Sequence, residues 1–251
     1  MLSTEDRIKA LIEDLRSLDP VVVETAGKAL VEIGPASIPF LIDSLNTSDF
    51  YSSTETNFRR NLSKVVVLFG ESAFELLVQE VMGRMSDIYD IDKLNLIEPF
   101  GMFGEKAIIP LIEIMRAEVR NEIIGGVQWN CSWALKKIGE PAHKYLLNLI
   151  HNTDNYNRCA AAFALGEFKD EKTLGALLNA LKDPIEGVRL FAATRVGFFE
   201  GSEILPALQE AAINTGDEFV KVAINDMIEQ QIGMMNQDKT QPELDFGENE
   251  R

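Results

Sequence analysis

The stretch Ala134-Leu135-Lys136-Lys137-Ile138-Gly139-Glu140-Pro141 decides the fold, because it joins the end of one amphipathic helix to the start of the next. Its alanine, leucine and isoleucine are apolar helix positions, its glycine stops that helix, and its proline suits the first turn of another. Similar junctions surround Gly34, Gly70 and Gly104, and with Gly139 these glycines are 36, 34 and 35 residues apart. Looser copies follow at Gly166 and Gly197, 31 residues apart. A period of this length is typical of stacked helix pairs, in which each pair packs on its neighbours.

The apolar periodicity predicts seven helix pairs, and hence an all-α fold. The predicted pairs cover 4–17 and 20–33, 36–46 and 55–69, 71–85 and 88–103, 105–118 and 121–138, 140–151 and 155–168, 171–182 and 184–199, and 202–213 and 217–232. Pro99 lies inside one of these helices and should kink or weaken its middle. We expect a right-handed α-α superhelix of six to seven helix pairs over residues 1–235. The segment 236–251 is polar and acidic, so we expect a disordered tail there.

Two stretches carry a more specific signature. They run Asp183-Pro184…Val188-Arg189-Leu190-Phe191-Ala192-Ala193…Gly197 and Asp154…Asn157-Arg158-Cys159-Ala160-Ala161…Ala164-Leu165-Gly166. This pattern resembles HEAT repeats, particularly the short bacterial and archaeal type named after phycobilisome lyases. The resemblance covers most of residues 1–232 and implies a HEAT-like solenoid in which the second helix of each pair lines the concave wall. It is specific for fold and unspecific for function.

The composition agrees with a helical array and disfavours several classes of function. The net charge is −16, from 24 basic and 40 acidic residues, and an acidic chain repels nucleic-acid phosphates. The two cysteines, Cys131 and Cys159, have no metal-binding or disulfide spacing, so we expect reduced thiols. The start MLSTEDRIKALIEDL lacks the basic and apolar regions of a signal peptide, and no run of 18 apolar residues occurs. We therefore expect a cytoplasmic protein without a membrane span.

The sequence offers few residues for an enzymatic site. HEAT-like deoxyhypusine hydroxylases hold two irons with repeated His-Glu pairs, whereas this chain has only His143 and His151, followed by Lys144 and Asn152. Their spacing of eight separates the two histidines by about two helical turns, too far to bind one ion together. No Gly-rich phosphate loop or Gly-x-Ser-x-Gly elbow occurs. We therefore expect no metal, no cofactor and no catalysis.

The repeat register aligns five residues at one position of the second helices: Arg59, Lys93, Gln128, Arg158 and Arg189. In the repeats that the chain resembles, a basic residue at this position often pairs with an acidic residue such as Asp154 or Asp183. We expect an internal ladder of such pairs, with ligand contact as the alternative.

The two tryptophans of the chain are its most informative side chains. On the predicted helix 121–138, residues such as Val127, Cys131 and Leu135 face one side, while Trp129 and Trp133 fall on the opposite side, one turn apart. Indoles are favoured as anchors of protein interfaces. Packing against neighbouring helices is the alternative, because a solenoid helix is buried on several sides.

Equivalent positions in the other copies complete a candidate partner-binding surface on the concave wall. Its residues are Lys28, Arg60, Lys64, Trp129, Trp133, Phe163 and Leu190. For Phe163 alone, packing is the favoured interpretation. The surface predicts a non-catalytic scaffold that recognises a protein or peptide with acidic and apolar residues. The alternatives are an accessory subunit of a modifying or lyase-type enzyme complex, and a nucleic-acid-binding HEAT-like protein.

Overall fold

The computed structural model of the protein describes residues 2–48, 52, 55–84, 93–120 and 126–238. Within these ranges every regular element is a helix, and fourteen α-helices follow one another along the chain. They form two compact units, Met1–Phe168 (unit 1) and Lys169–Arg251 (unit 2). The predicted all-α solenoid is confirmed.

The helices of unit 1 are α1 (Thr4–Asp14), α2 (Pro20–Ile33), α3 (Ile38–Thr47), α4 (Glu55–Leu68), α5 (Glu71–Gly83), α6 (Lys93–Ile97), α7 (Ile108–Arg120), α8 (Gly126–Ile138), α9 (Glu140–Leu149) and α10 (Asn155–Leu165). Short 3-10 helices cover Pro35–Ser37, Glu98–Met102 and Gly104–Ala107. Unit 2 contains α11 (Glu171–Ala180), α12 (Glu186–Val196), α13 (Ile204–Asn214) and α14 (Glu218–Asp238). The helices follow the predicted pairs, and most described helix ends lie within three residues of the predicted bounds; the larger differences are in the third pair and at the end of α14.

Capping residues fix the first two helix starts. The Ser3 hydroxyl accepts a hydrogen bond from the Asp6 N–H at 3.0 Å, and the Asp6 carboxylate accepts one from the Ser3 N–H at 3.3 Å. Asp19 caps α2 by accepting from the Val21 N–H at 2.8 Å, with Pro20 in the first turn. Such contacts satisfy backbone donors that the first turn of a helix leaves unpaired.

Four glycines form the junctions between repeats. Gly34, Gly70, Gly104 and Gly139 have φ angles of 92°, 62°, 72° and 84°. For Gly34, Gly70 and Gly139 the ψ angles are −162°, −129° and −137°, in a region that glycine adopts without strain and other residues do not. An added Cβ would meet no atom within 4 Å at any of the four positions. The backbone conformation alone therefore requires glycine. The regular spacing of these glycines in the sequence thus marks the regular spacing of the turns between repeats.

The third helix pair is irregular at Pro99. Helix α6 ends at Ile97, and a 3-10 helix takes over at Glu98, because proline lacks the N–H that an α-helix needs. Gly101 in this 3-10 helix lies close to α8, since a Cβ on Gly101 would be 3.1 Å from the Cα of Ala134. The predicted start of this helix, at 88–92, lies outside the described residues.

The second helices of unit 1 (α2, α4, α6 with its 3-10 extension, α8 and α10) form one continuous layer. Helix α2 contacts α4, α4 contacts the 3-10 helix that follows α6, and α8 contacts both α6 and α10. Fully buried leucines lie along this layer: Leu30, Leu62, Leu96 and Leu135. Burial of each such side chain contributes about 1.5–3 kcal/mol. The layer fixes the positions of α2, α4 and α8, which carry most of the candidate site residues.

Arg158 and Arg189 make the same contact in two successive repeats. The Nη1 of each arginine donates to the backbone carbonyls six and five residues earlier, at distances of 2.8 to 3.2 Å: Asn152, Thr153, Asp183 and Pro184. Each guanidinium therefore braces the turn that precedes its own helix. The predicted Arg–Asp ladder did not include these carbonyl contacts. Asp154, one of its acidic residues, forms an ion pair with Arg116 at 2.7 Å. The side chain of Lys93, aligned at the same position, lies outside the described residues.

In unit 2 a buried amide anchors the last helix. The Nε2 of Gln231 donates to the carbonyls of Gly197 and Phe199, at 2.8 and 3.0 Å. Helix α14 continues to Asp238, beyond the predicted helix end at 232. The remainder of the predicted tail, 239–251, lies outside the described residues, so the division into 1–235 and 236–251 stays a prediction.

Candidate protein-binding surface

Helix α8 has one buried and one exposed face. Its buried residues are Val127, Gln128, Cys131, Ser132, Ala134 and Leu135. Trp129 and Trp133 lie on the other face, with 40% and 60% of their surface exposed. Because they are four residues apart, the two rings are neighbours along the helix. We call Trp129 and Trp133 the indole surface. Residues 121–125 of the predicted helix lie outside the part of the chain that the structure describes.

The buried Phe163 ring contacts Trp129 of the indole surface. Phe163 is 4% exposed, and its ring centroid lies 5.4 Å from that of Trp129, with an angle of 75° between the planes. An edge-to-face pair of this kind contributes about 0.5–1.5 kcal/mol beyond the burial of area. Phe163 therefore orients Trp129 and offers little surface of its own to a partner.

Phe163 and Leu190 are both buried, although the repeat register placed them on an open wall. Helix α10 packs against α7, α8 and α9, and every residue from Cys159 to Leu165 is buried. Leu190 is 8% exposed on α12, which contacts α11, α13 and α14. A helix that is packed against neighbours on several sides has no face exposed to solvent. The register thus identifies an equivalent position without identifying its exposure.

The three predicted basic residues line one groove between α2 and α4. Lys28 on α2, and Arg60 and Lys64 on α4, border a cavity of about 500 Å³, which we call the α2–α4 groove. Its apolar lining includes Leu18, Val23, Val65 and Leu68. The lining residues recur three and four positions apart on both helices, so one stripe of each helix faces the groove.

Hydrogen bonds join polar side chains of the α2–α4 groove to neighbouring groups. The Lys28 Nζ lies 2.6 Å from Glu24 Oε1, and the Asn61 Nδ2 donates to the Leu15 carbonyl at 2.9 Å, which ties α4 to the end of α1. The hydrogen bond from Lys28 lowers the pKa of Glu24, and the same bond raises the pKa of Lys28. Both groups are therefore charged at neutral pH.

Sequence reasoning missed residues that extend both surfaces. Leu18 and Leu68 are 88% and 63% exposed beside the groove, and Lys137 continues the exposed face of α8 one turn after Trp133. The i+4 spacing from Lys64 to Leu68 and from Trp133 to Lys137 is a signal that identifies two of these residues. Leu18 lies in the turn between α1 and α2, where helical spacing gives no signal.

Metal and thiol chemistry have little support in the described part of the chain. There, no group of three or more His, Cys, Asp or Glu side chains is placed to hold a metal ion. Burial, with a smaller contribution from the Glu118 charge, raises the pKa of the Cys131 thiol well above its ordinary value. Cys131 is therefore a neutral thiol and a poor nucleophile. In the part of the chain that the structure describes, none of the helices has the length and apolar character of a membrane-spanning segment.

Comparison with known proteins identifies the repeat. The family model for HEAT repeats matches residues 143–228, the part of the chain in which the sequence signature is strongest. This match confirms the predicted resemblance to HEAT repeats for that part of the chain. No curated protein matches the sequence.

Three solved structures illustrate the similarity. Human deoxyhypusine hydroxylase in complex with glycerol is 16% identical, with a TM-score of 0.37 over 92% of this chain and 97% of that chain. A designed armadillo repeat protein in complex with a (KR)4 peptide is 17% identical, with a TM-score of 0.35 over 89% and 99%. The complex of CpcE and CpcF of phycocyanin lyase from Nostoc is 18% identical, with a TM-score of 0.30 over 92% and 95%. At these TM-scores the similarities support no conclusion about function.

Proposed function

We propose that this chain is a non-catalytic, cytoplasmic scaffold that binds a partner protein through residues of α2, α4 and α8 in unit 1. The indole surface carries this proposal, because the only two tryptophans of the chain are exposed and lie one turn apart. Truncation of an interface tryptophan often costs about 2 kcal/mol or more of binding free energy, which is roughly a thirtyfold loss of affinity.

The charge of the α2–α4 groove supports a partner with acidic and apolar residues. The groove is lined by three cations and one carboxylate, in a chain whose net charge is −16. Carboxylates of a partner are attracted to such a groove and repelled by the acidic surface elsewhere. Apolar side chains of the same partner would contact Trp129 and Trp133.

Affinity capture tests the proposal with a matched pair of exposed apolar residues. Trp133 on α8 and Ile109 on α7 are 60% and 59% exposed. We expect Trp133→Ala to lose the protein that the wild-type chain captures from a lysate, and Ile109→Ala to retain it. Circular-dichroism melts verify that both variants fold. Equal capture by the two variants would contradict the proposal, and salt-sensitive retention of DNA or RNA instead of a protein would support the nucleic-acid alternative.

A further inference from the structure

The α2–α4 groove contains a carboxylate next to its cations. Glu24 lies one turn before Lys28 on α2, and its Oε1 is 2.6 Å from the Lys28 Nζ. The two side chains are 67% and 69% exposed, so water screens the pair and it opens readily. Glu24 thus occupies the position beside Lys28 that a carboxylate of a bound peptide would take.

The other two cations of the groove are on α4. Arg60 and Lys64 are exposed and lie one turn apart, and the Arg60 Nη1 donates to the neutral Asn57 amide oxygen at 3.2 Å. With Lys28 and Glu24, they give the groove lining a formal charge of +2. Loss of the Glu24 charge alone would raise that charge by one and release Lys28.

Exposed leucines lie beside these cations. Leu18 and Leu68 are 88% and 63% exposed and line the same cavity of about 500 Å³. Ligand sites typically have volumes of about 300–1,000 Å³. Cations beside leucines match a segment in which carboxylates alternate with apolar side chains. A nucleic-acid backbone offers the matching charge but no apolar side chain to cover the leucines.

We propose that the α2–α4 groove binds an acidic peptide segment with an apolar residue between its carboxylates, and that Glu24 is an internal competitor which the bound carboxylate displaces from Lys28. This inference rests on the proposed function, because it defines the partner chemistry at one part of the same surface. Its consequence is specific: removing the negative charge of Glu24 from the wall of the groove tightens binding.

Fluorescence anisotropy with the full chain and a labelled five-residue peptide of alternating glutamate and leucine tests this inference. The same peptide with glutamine in place of glutamate is the ligand control. We expect Glu24→Gln to tighten binding about twofold or more, the effect of one exposed i,i+4 ion pair. We expect Arg60→Gln combined with Lys64→Gln to weaken binding about tenfold at low salt. Glu5→Gln is the matched variant, because Glu5 forms an equal 2.6 Å i,i+4 pair with Lys9 on α1; it should leave the affinity unchanged.

The outcomes separate this inference from the proposed function. Equal effects of Glu24→Gln and Glu5→Gln would overturn the competitor role, because bulk charge would then explain both. Binding of single-stranded DNA but not of the peptide would overturn the peptide assignment. The peptide should bind Trp133→Ala as it binds the wild type. If the peptide fails to bind the wild type while Trp133-dependent capture persists, only this inference fails; if the peptide binds without any Trp133-dependent capture, only the proposed function fails.

Discussion

Replacing Trp129 with alanine should destabilise the fold more than replacing Trp133, although the two residues are one turn apart on α8. Trp129 is 40% exposed and contacts the Phe163 ring edge to face, whereas Trp133 is 60% exposed. The difference follows from how much of each indole the folded chain removes from water.

The magnitude can be worked from the areas and the ring contact. A fully buried aromatic side chain removes up to about 250 Å² from water, so the difference in exposed fraction corresponds to roughly 50 Å². At about 25 cal/mol per Å², this area contributes about 1.2 kcal/mol. The edge-to-face contact with Phe163 adds about 1 kcal/mol. We therefore expect Trp129→Ala to lower the free energy of unfolding by about 2 kcal/mol more than Trp133→Ala. A difference between two variants depends little on the reference chosen for the unfolded chain.

Urea unfolding followed by far-ultraviolet circular dichroism measures this difference, because the helical signal is present in both variants. Fluorescence gives a second measurement, since the chain has only two tryptophans. Trp129→Phe leaves Trp133 as the sole emitting indole, and Trp133→Phe leaves Trp129. Acrylamide should quench Trp133 more steeply than Trp129. Equal losses of unfolding free energy together with steeper quenching of Trp129 would refute the assigned exposures and remove the basis of the indole surface.

Further substitutions test a repeat junction, with a helical glycine as its control, and an ion pair. Gly139→Ala should lower the unfolding free energy by about 1–3 kcal/mol through backbone strain alone, because φ is 84° and no atom lies within 4 Å of an added Cβ; Gly175→Ala, inside α11, should instead stabilise by up to about 1 kcal/mol. Asp154→Asn should destabilise most at neutral pH. Burial raises the pKa of the Asp154 carboxyl, but the hydrogen bond from the Tyr156 N–H and the charge of Arg116, 2.7 Å away, lower this pKa by more, so that it lies below its ordinary 3.8. The stabilising contribution of Asp154 is therefore present above the ordinary pKa and is lost as the pH falls through the lowered pKa. Urea unfolding over that range should show the two proteins converging in acid, and a constant difference would contradict the assignment.

The repeat junctions could be predicted because each depends on a single residue. Helix α2 begins and ends at its predicted bounds, since Asp19 supplies the cap, Pro20 the first turn and Gly34 the stop. The end of α14 did not follow from the same signals. Gly233 lies inside that helix, so the cost of a helical glycine, about 0.5–1 kcal/mol, does not end it.

The candidate site residues also fall into two groups. The sequence of their own helix determines the exposure of some, and packing between helices determines the exposure or position of the others. The exposure of Trp129 and Trp133 follows from the apolar period of α8 by itself. The burial of Phe163 depends on how many neighbours enclose α10, which a period within one helix does not encode. The α2–α4 groove brings Lys28 and Lys64 together from different helices. The register identified both cations, whereas their common cavity depends on how α2 packs against α4.

The distance between the two surfaces of unit 1 determines what one partner can contact. From the α2–α4 groove, the layer continues through α4 and α6 with its 3-10 extension to α8. Packed helices lie about 8–10 Å apart, so two to three such steps separate the groove from the indole surface by roughly 20–30 Å. An extended chain covers about 3.3–3.6 Å per residue, so a segment that reaches both needs about six to nine residues between its carboxylates and its apolar anchor. Two linked contacts at that spacing strengthen each other through effective concentration. A shorter segment contacts one surface only, which is why a five-residue acidic peptide should respond to Glu24 and be indifferent to Trp133.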